Sequence, residues 1–459
     1  MRSKILSLCL ILAVALLLPL SVVAQSHTTN TFSIYSMYGL GDIQSQSTLQ
    51  TRSMGGAGVA MRSRGAINLL NPASYSMTLQ NSVMFDLGVQ GTSSFNAQSV
   101  DGAVVKSNST SINFSEFAFQ MPITKGLGFA VSVSPFSSVG YRQERSEIID
   151  GYGYVQYVNE GYGDISEVKA GLGWEPFKNF SLGVALQYYW GDIDRAFYGS
   201  LYSLTAGNDV ISPAGLDNVS ISKVKGQVGL QYVVMSSNRR ALTIGATYDF
   251  GGDLTPRYSR YIGSMSSDGN DVGTNGNVEN AYIQSDTTTM SIVLPNKGAA
   301  GVNFVTEKIM LSLDYSYQSW GRNNVDFLEI SSTGVEVKYN NVGTVSVGAE
   351  YTPRRSDVRN YFNRVSYRAG ARYGGYQYSI GGKSLNQYVV TVGAGLPINM
   401  AGISKVNVGL EWGGVGSVNY AAQTTTGQSV GLVRQNYLKF SLGFTLFGDD
   451  YWFRRPVID

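Results

Sequence analysis

Residues that could carry catalysis or hold a metal are scarce in this chain. Its 459 residues include one histidine, His27, and one cysteine, Cys9. General base catalysis usually relies on histidine, and protein metal sites draw on clustered histidines, cysteines and carboxylates. The glycine-rich stretch near the N-terminus also lacks the strand, G-x-x-x-x-G-K and helix order of a phosphate-binding loop. We therefore predict no catalytic residue, no metal site, no cofactor and no enzymatic activity.

A second set of residues with chemical potential is a group of charges near the N-terminus. Residues 38–75 contain three arginines, Arg52, Arg62 and Arg64, against a single acid, Asp42. The planar guanidinium of arginine binds carboxylates bidentately in confined sites. This segment has neither the alternation of a strand nor the apolar face of a long helix. We expect its arginines to meet acids supplied by other parts of the chain.

The composition is that of a transmembrane β-barrel. Charged residues make up only 14% of the chain, against about 25% in average soluble proteins. The chain contains 54 glycines and 30 tyrosines but only 11 prolines. Membrane barrels have apolar lipid-facing side chains and aromatic rings at both interfaces. The predicted fold is all-β, an antiparallel barrel of about 14 strands with an N-terminal hatch inside its lumen.

The first residues have the composition of an export signal. Arg2 and Lys4 precede an apolar run at 5–20, and small residues at 22–24 suit cleavage before Gln25. That run is shorter than the roughly 20 residues of a spanning helix, which makes an uncleaved anchor the less favoured alternative. We predict that residues 1–24 are a signal peptide and that the chain is exported to the outer membrane of a Gram-negative cell.

After residue 78 the chain alternates apolar and polar residues in segments long enough to cross a bilayer. In 405–413, Val406, Val408, Leu410 and Trp412 alternate with Lys405, Asn407, Gly409 and Glu411. Short and long connections also alternate, as periplasmic turns and external loops do. We predict a lead-in and hatch at 25–78, a barrel at 79–447 and a periplasmic tail at 448–459. Aromatic girdles are predicted at Trp174, Tyr188, Trp190, Tyr248, Tyr315, Tyr317, Trp320, Tyr351 and Trp412.

The alternation also supplies acids for the arginines. It turns a set of charges toward the lumen, among them Asp249, Asp314 and Glu350. Our hypothesis is that Arg52, Arg62 and Arg64 pair with these three acids and so fix the hatch. The alternative is that each of these charges is simply hydrated in the lumen.

Short motifs resemble a known family. Ala57-Gly58 followed by Asn71-Pro72-Ala73 is similar to the N-terminal hatch of the FadL/TodX-type outer-membrane transporters. LPNKGAAGVNF at 294–304 resembles a segment in the second half of their barrel, and Ser134-Pro135-Phe136 is a third match. The hatch motif here comprises Gly55, Gly56, Ala57, Gly58, Asn71, Pro72 and Ala73.

The resemblance implies a fourteen-stranded barrel that takes up hydrophobic small molecules by passive diffusion past the hatch. In fatty-acid members the substrate leaves through a gap beside the third strand. Pro135 is the candidate for such a gap, since proline has no N–H for the strand ladder. The alternative is that Pro135 merely ends the membrane part of its strand.

Other features favour a second function. The external loops are polar, whereas the fatty-acid members carry apolar residues there, and the tail 448–459 follows the last aromatic strand. The alternative hypothesis is a non-transporting accessory barrel of an outer-membrane secretion or assembly complex. Expected partners are outer-membrane lipid and lipopolysaccharide, with a hydrophobic ligand under the first hypothesis. Under the second, outer-membrane or periplasmic proteins bind through 448–459. No basic patch suggests nucleic acid.

Overall fold

Fourteen antiparallel strands form the body of the protein in a computed structural model. The structure describes residues 31–449 apart from 81, 101–102, 150–152, 203–211, 238, 266–282, 290–291, 323–334, 399–403, 418–420 and 424–428. The strands are β1 (Ser82–Val100), β2 (Ala103–Thr124), β3 (Leu127–Ile149), β4 (Gly153–Phe177), β5 (Phe180–Tyr202), β6 (Ser212–Ser236), β7 (Arg240–Asp249 and Arg257–Met265), β8 (Ile283–Thr289 and Lys297–Thr306), β9 (Ile309–Gln318), β10 (Val337–Tyr339 and Val342–Tyr351), β11 (Ser366–Ile380), β12 (Lys383–Pro397), β13 (Lys405–Val415) and β14 (Arg434–Asp449).

The sheet closes on itself because β14 pairs with β1 along its length, with Val89 opposite Leu442. Each other strand pairs with its neighbour in sequence, which confirms the predicted fourteen-stranded antiparallel barrel. Strands β7 and β8 are both interrupted, and Gly252–Asp253 pairs with Val293–Leu294 as a separate two-residue ladder. Pro295 lies in the interruption of β8, where a residue without an N–H is tolerated.

The two faces of the barrel differ as the alternation predicts. Along β9, Leu311, Leu313 and Tyr315 are exposed outward, whereas Ser312 and Asp314 between them are buried. An apolar outer face meets lipid without cost, and the pairing of β14 with β1 leaves no unpaired first or last strand in the hydrocarbon. Among the described residues, no helix is long and apolar enough to span a membrane.

The helices are all short. The N-terminal segment, defined here as residues 33–78, contains Ile34–Met37, Leu49–Arg52 and Pro72–Met77, and two further turns are Trp320–Arg322 and Tyr361–Arg364. Two-residue strand Asp42–Ile43 pairs with β3, and Ala421–Gln423 pairs with Ser429–Gly431. The predicted signal peptide at 1–24, Cys9, His27 and residues 450–459 of the predicted tail lie outside the described residues. The predicted domain boundaries remain predictions.

One predicted girdle residue is wrong. Trp320 is 2% exposed and stacks on Tyr339 with ring centroids 5.7 Å apart, inside the barrel. It follows the end of β9, where the chain turns inward, so strand alternation no longer sets its direction. Trp174, Tyr315 and Trp412 do face outward, about half exposed.

Candidate functional site

The N-terminal segment lies in the lumen, and inward-facing glycines of the wall make room for it. A Cβ atom built on Gly370 of β11 would lie 2.2 Å from the backbone N of Gly55. One built on Gly183 of β5 would lie 2.2 Å from the backbone N of Ala73. No side chain fits at such distances, so the glycines let the two backbones touch. Other wall glycines in such contact with the segment are Gly128, Gly173, Gly229, Gly245 and Gly348.

Arg52 is the buried charge that ties the segment to the first two strands. Its Nη2 pairs with the Oε2 of Glu116, and its Nη1 donates to the Oε1 of Gln90 at 3.0 Å. The backbone N–H of Leu49 donates to the other oxygen of Glu116 at 2.9 Å. Ser115 forms a bulge, since Glu116 lies opposite Gly88 but Phe114 lies opposite Val89. Arg52 and Glu116 are both almost fully buried.

The acids that we predicted as partners of the three arginines have other partners. Asp314 accepts the backbone N–H groups of Gly58 and Val59 at 2.6 and 2.9 Å. Glu350 accepts from Arg368 at 2.8 Å and from Gln50 at 3.1 Å. Both acids therefore hold the segment, but through backbone and amide groups.

The remaining residues of the pairing hypothesis also differ from it. Asp249 lines the lumenal cavity and forms no ion pair with those arginines among the described residues. Arg62 pairs instead with Glu175 at 3.1 Å, near the end of β4. Burial lowers the pKa of Arg62, and the charge of Glu175 opposes that shift. Arg64 is exposed. The specific pairing with Asp249, Asp314 and Glu350 is thus wrong, because strand alternation shows which acids face the lumen but not which of them lies beside each arginine.

Most of the predicted motif residues are buried, and they contact the barrel wall. The Nδ2 of Asn71 lies 2.8 Å from the backbone O of Val59 and 3.1 Å from that of Leu230 in β6. The Oδ1 of Asn71 accepts from the N–H of Ala73 at 3.0 Å and caps Pro72–Met77. Gly55 and Gly56 have φ angles of 68° and 78°, which favour glycine. Lys169 of β4 donates to the backbone O of Leu69 at 2.7 Å.

An apolar cluster closes the lumen toward the external loops. Tyr35, Tyr38 and Leu40 of the N-terminal segment pack against Tyr378 of β11 and Leu254, which lies between the two parts of β7. The Oη of Tyr378 donates to the backbone O of Tyr38 at 2.7 Å. Below this cluster, Tyr376 donates to Asp42 at 2.8 Å. Burial raises the pKa of Asp42, and the hydrogen bond from Tyr376 opposes the shift.

The wall has a local opening at Pro135. Strand β2 pairs with β3 from Thr124, which lies opposite Leu127, to Phe117, which lies opposite Val133. Among the described residues the pairing of these two strands ends there. Beyond it β3 pairs with Asp42–Ile43, with Ile43 opposite Ser137. Gln46 donates to the backbone O of Pro135 at 2.8 Å. The N-terminal segment therefore takes the position beside β3 that β2 leaves.

The lumen keeps a cavity of about 500 Å³ that is lined by polar, charged and apolar residues. It reaches the opening, since Phe114 and Pro135 belong to its wall. Its charged lining residues are Asp42, Arg52, Asp164, Glu167, Lys169, Lys225, Asp249, Lys297, Asp314, Arg372, Glu411 and Lys439. Within the described part of the chain no group of three histidine, cysteine or acidic residues could hold a metal ion.

The chain is similar in fold to known outer-membrane channels. A FadL homologue from Pseudomonas aeruginosa has a TM-score of 0.56 at 13% identity, covering 90% of this chain and 100% of that one. The toluene transporter TodX from P. putida has a TM-score of 0.54 at 14% identity, with 90% and 99% covered. These values establish a FadL-type barrel. With its apolar outer face, the barrel places the chain in the outer membrane.

Sequence comparison gives a separate result. The family model described as BamG matches residues 4–459. No curated protein is a significant match to the sequence.

Proposed function

Because this chain belongs to the BamG family, and because its lumen is filled by its own N-terminal segment, we propose that it is a non-transporting accessory barrel subunit of an outer-membrane secretion or assembly complex. The family match covers nearly the whole chain, whereas the FadL-type channels share its fold at 13–14% identity. A shared fold does not by itself carry a shared function.

The observation that carries this proposal is the seating of residues 33–78. Buried charges such as Arg52 with Glu116, and Asp314 with two backbone N–H groups, hold the segment on different sides of the lumen. Releasing it breaks several such contacts at once, and each leaves a buried charge without its partner. A hydrophobic solute would also have to cross a cavity lined by charges. A closed barrel of this kind serves as a docking body in the membrane.

Uptake of hydrophobic small molecules is the second candidate, favoured by the opening at Pro135. The cavity reaches that opening, and a lateral exit spares a greasy solute from entering water again. In this scheme Asp42–Ile43 must leave the edge of β3 to let the solute through.

Affinity purification of the tagged full-length chain in mild detergent distinguishes the two candidate functions. Under the first proposal, outer-membrane or periplasmic proteins are recovered in stoichiometric amounts. Deleting residues 450–459, which leaves β14 complete to Asp449, tests whether the tail holds those partners. Recovery of the barrel alone, with a bound hydrophobic ligand, would reject the first proposal and support the second.

A further inference from the structure

One turn at the end of the barrel with short connections has an unusual surface. Residues 352–365 join β10 to β11 and contain the turn 353–364, while the turns at 125–126, 178–179 and 307–308 have two residues each. The backbone N–H of Thr352 donates to the O of Lys308, so this turn lies at the same, periplasmic end. Its tip exposes two apolar side chains, Val358 at 74% and Phe362 at 69%.

The turn is held in a defined shape by its own polar groups. Asp357 Oδ1 accepts the N–H groups of Arg359 and Asn360 at 2.9 and 3.0 Å. Its Oδ2 accepts from Asn363 at 2.7 Å. Asn360 in turn caps the helix Tyr361–Arg364 by accepting the N–H of Phe362 at 3.0 Å. The exposed apolar tip therefore belongs to a folded structure.

The charge around this tip is strongly positive. The turn carries Arg354, Arg355, Arg359 and Arg364 against the single acid Asp357. Arg354 lies 3.9 Å from Asp357, and Arg355 lies 3.9 Å from Glu350. More than half of each arginine side chain is exposed. Ion pairs at such a distance, with the arginine in water, contribute little to stability. The guanidinium groups can therefore donate hydrogen bonds to further carboxylates. Exposed aromatic and arginine side chains together are the residues that dominate protein interfaces.

The tip lies on the water side of the lipid-facing belt. Tyr351 and Tyr367 face each other across β10 and β11 with exposed rings, as interfacial tyrosines do. The Oη of Tyr367 donates to the backbone O of Phe362 at 3.2 Å. Since the hydroxyl of such a tyrosine points toward water, Phe362 is placed beyond the belt. Lipid tails do not cover it there.

We propose that the turn 353–364 is a docking site for an acidic periplasmic protein. The partner covers Val358 and Phe362 and supplies carboxylates to Arg354, Arg355 and Arg359. This inference rests on the proposed role as a complex subunit and names the chemistry of one partner. Aromatic burial supplies the affinity, and the arginines select an acidic surface and speed its approach.

Photo-crosslinking of the full-length chain in its own membrane tests the proposal. A photoreactive phenylalanine analogue replaces Phe362, with or without the charge reversals R354E/R355E/R359E. The matched control K125E/K178E/R239E reverses three exposed cations on other short turns. We expect one crosslinked protein whose contact peptide is acidic. The yield of this crosslink should fall about tenfold or more in R354E/R355E/R359E and stay unchanged in the control variant.

Several results would overturn the docking site. These are crosslinks to lipid alone, a partner peptide without acidic residues, or equal loss in both triple variants. Heat-modifiable gel migration checks that each barrel is folded. If the wild-type chain purifies without any partner, the proposed function fails as well. If partners copurify but R354E/R355E/R359E leaves both copurification and crosslink unchanged, only the docking site fails.

Discussion

Removing the guanidinium of Arg52 should loosen the N-terminal segment more than any other single charge deletion in it. R52A leaves the carboxylate of Glu116 buried without its cation, and breaking one side of a buried pair costs about 3–5 kcal/mol. Glu116 keeps the N–H of Leu49 and the hydroxyl of Ser115 as donors, which places the cost near the lower end. A cost of about 3 kcal/mol raises the population of the released segment roughly 150-fold.

Two measurements follow this release in the R52A variant. Influx of a large antibiotic that the outer membrane excludes reports an opened lumen, and amide hydrogen exchange over residues 48–60 reports the released segment. The exposed Arg64 provides the matched control, because R64A removes the same charge from the same segment at little cost. The double variant R52A/E116A should recover part of the loss, since no unpaired charge remains buried.

The reasoning fails if R52A and R64A show the same influx and the same exchange. It fails also if R52A/E116A is looser than the wild type by the sum of the losses that R52A and E116A each cause alone, because the two groups would then not interact.

Two further predictions concern the same segment. G370A places a methyl group 2.2 Å from the backbone N of Gly55, so residues 53–56 should lose exchange protection while A369G, one residue away on the outward face, leaves it unchanged. Burial raises the pKa of Asp42, so the seated segment binds a proton more tightly than the released one, and its stability falls as the pH rises through that pKa. Exchange protection of residues 33–46 should therefore increase as the pH is lowered from 7 toward about 4, and D42N should abolish this dependence.

The sequence was sufficient to predict the barrel because its signal is local. The alternation of apolar and polar residues in 405–413 and along β9 follows from the strand pleat alone. Counting such segments predicted the number of strands, and the alternation predicted which side chains face outward. The lumenal position of residues 38–75 could be inferred because the segment fits neither a strand nor a long helix. These are properties of single segments and need no partner.

The contacts inside the lumen could not be predicted, because they depend on depth and register. The bulge at Ser115 and the inward turn at Trp320 break the alternation from which side-chain directions were inferred. Inward glycines such as Gly370 carried a usable signal, since a strand position facing a hydrated lumen has no need of one.

The most direct test of the account is a covalent lock of the N-terminal segment to β3. Ile43 and Ser137 lie opposite each other. The neighbouring Gln44 donates to Phe136, so they form a non-hydrogen-bonded pair with Cα atoms about 4.5 Å apart, within disulfide reach. Oxidised I43C/S137C should recover the same partner proteins, in the same amounts, as its reduced form. Hydrophobic solute uptake that is lost on oxidation and restored by a reductant would contradict the account and show that the barrel transports.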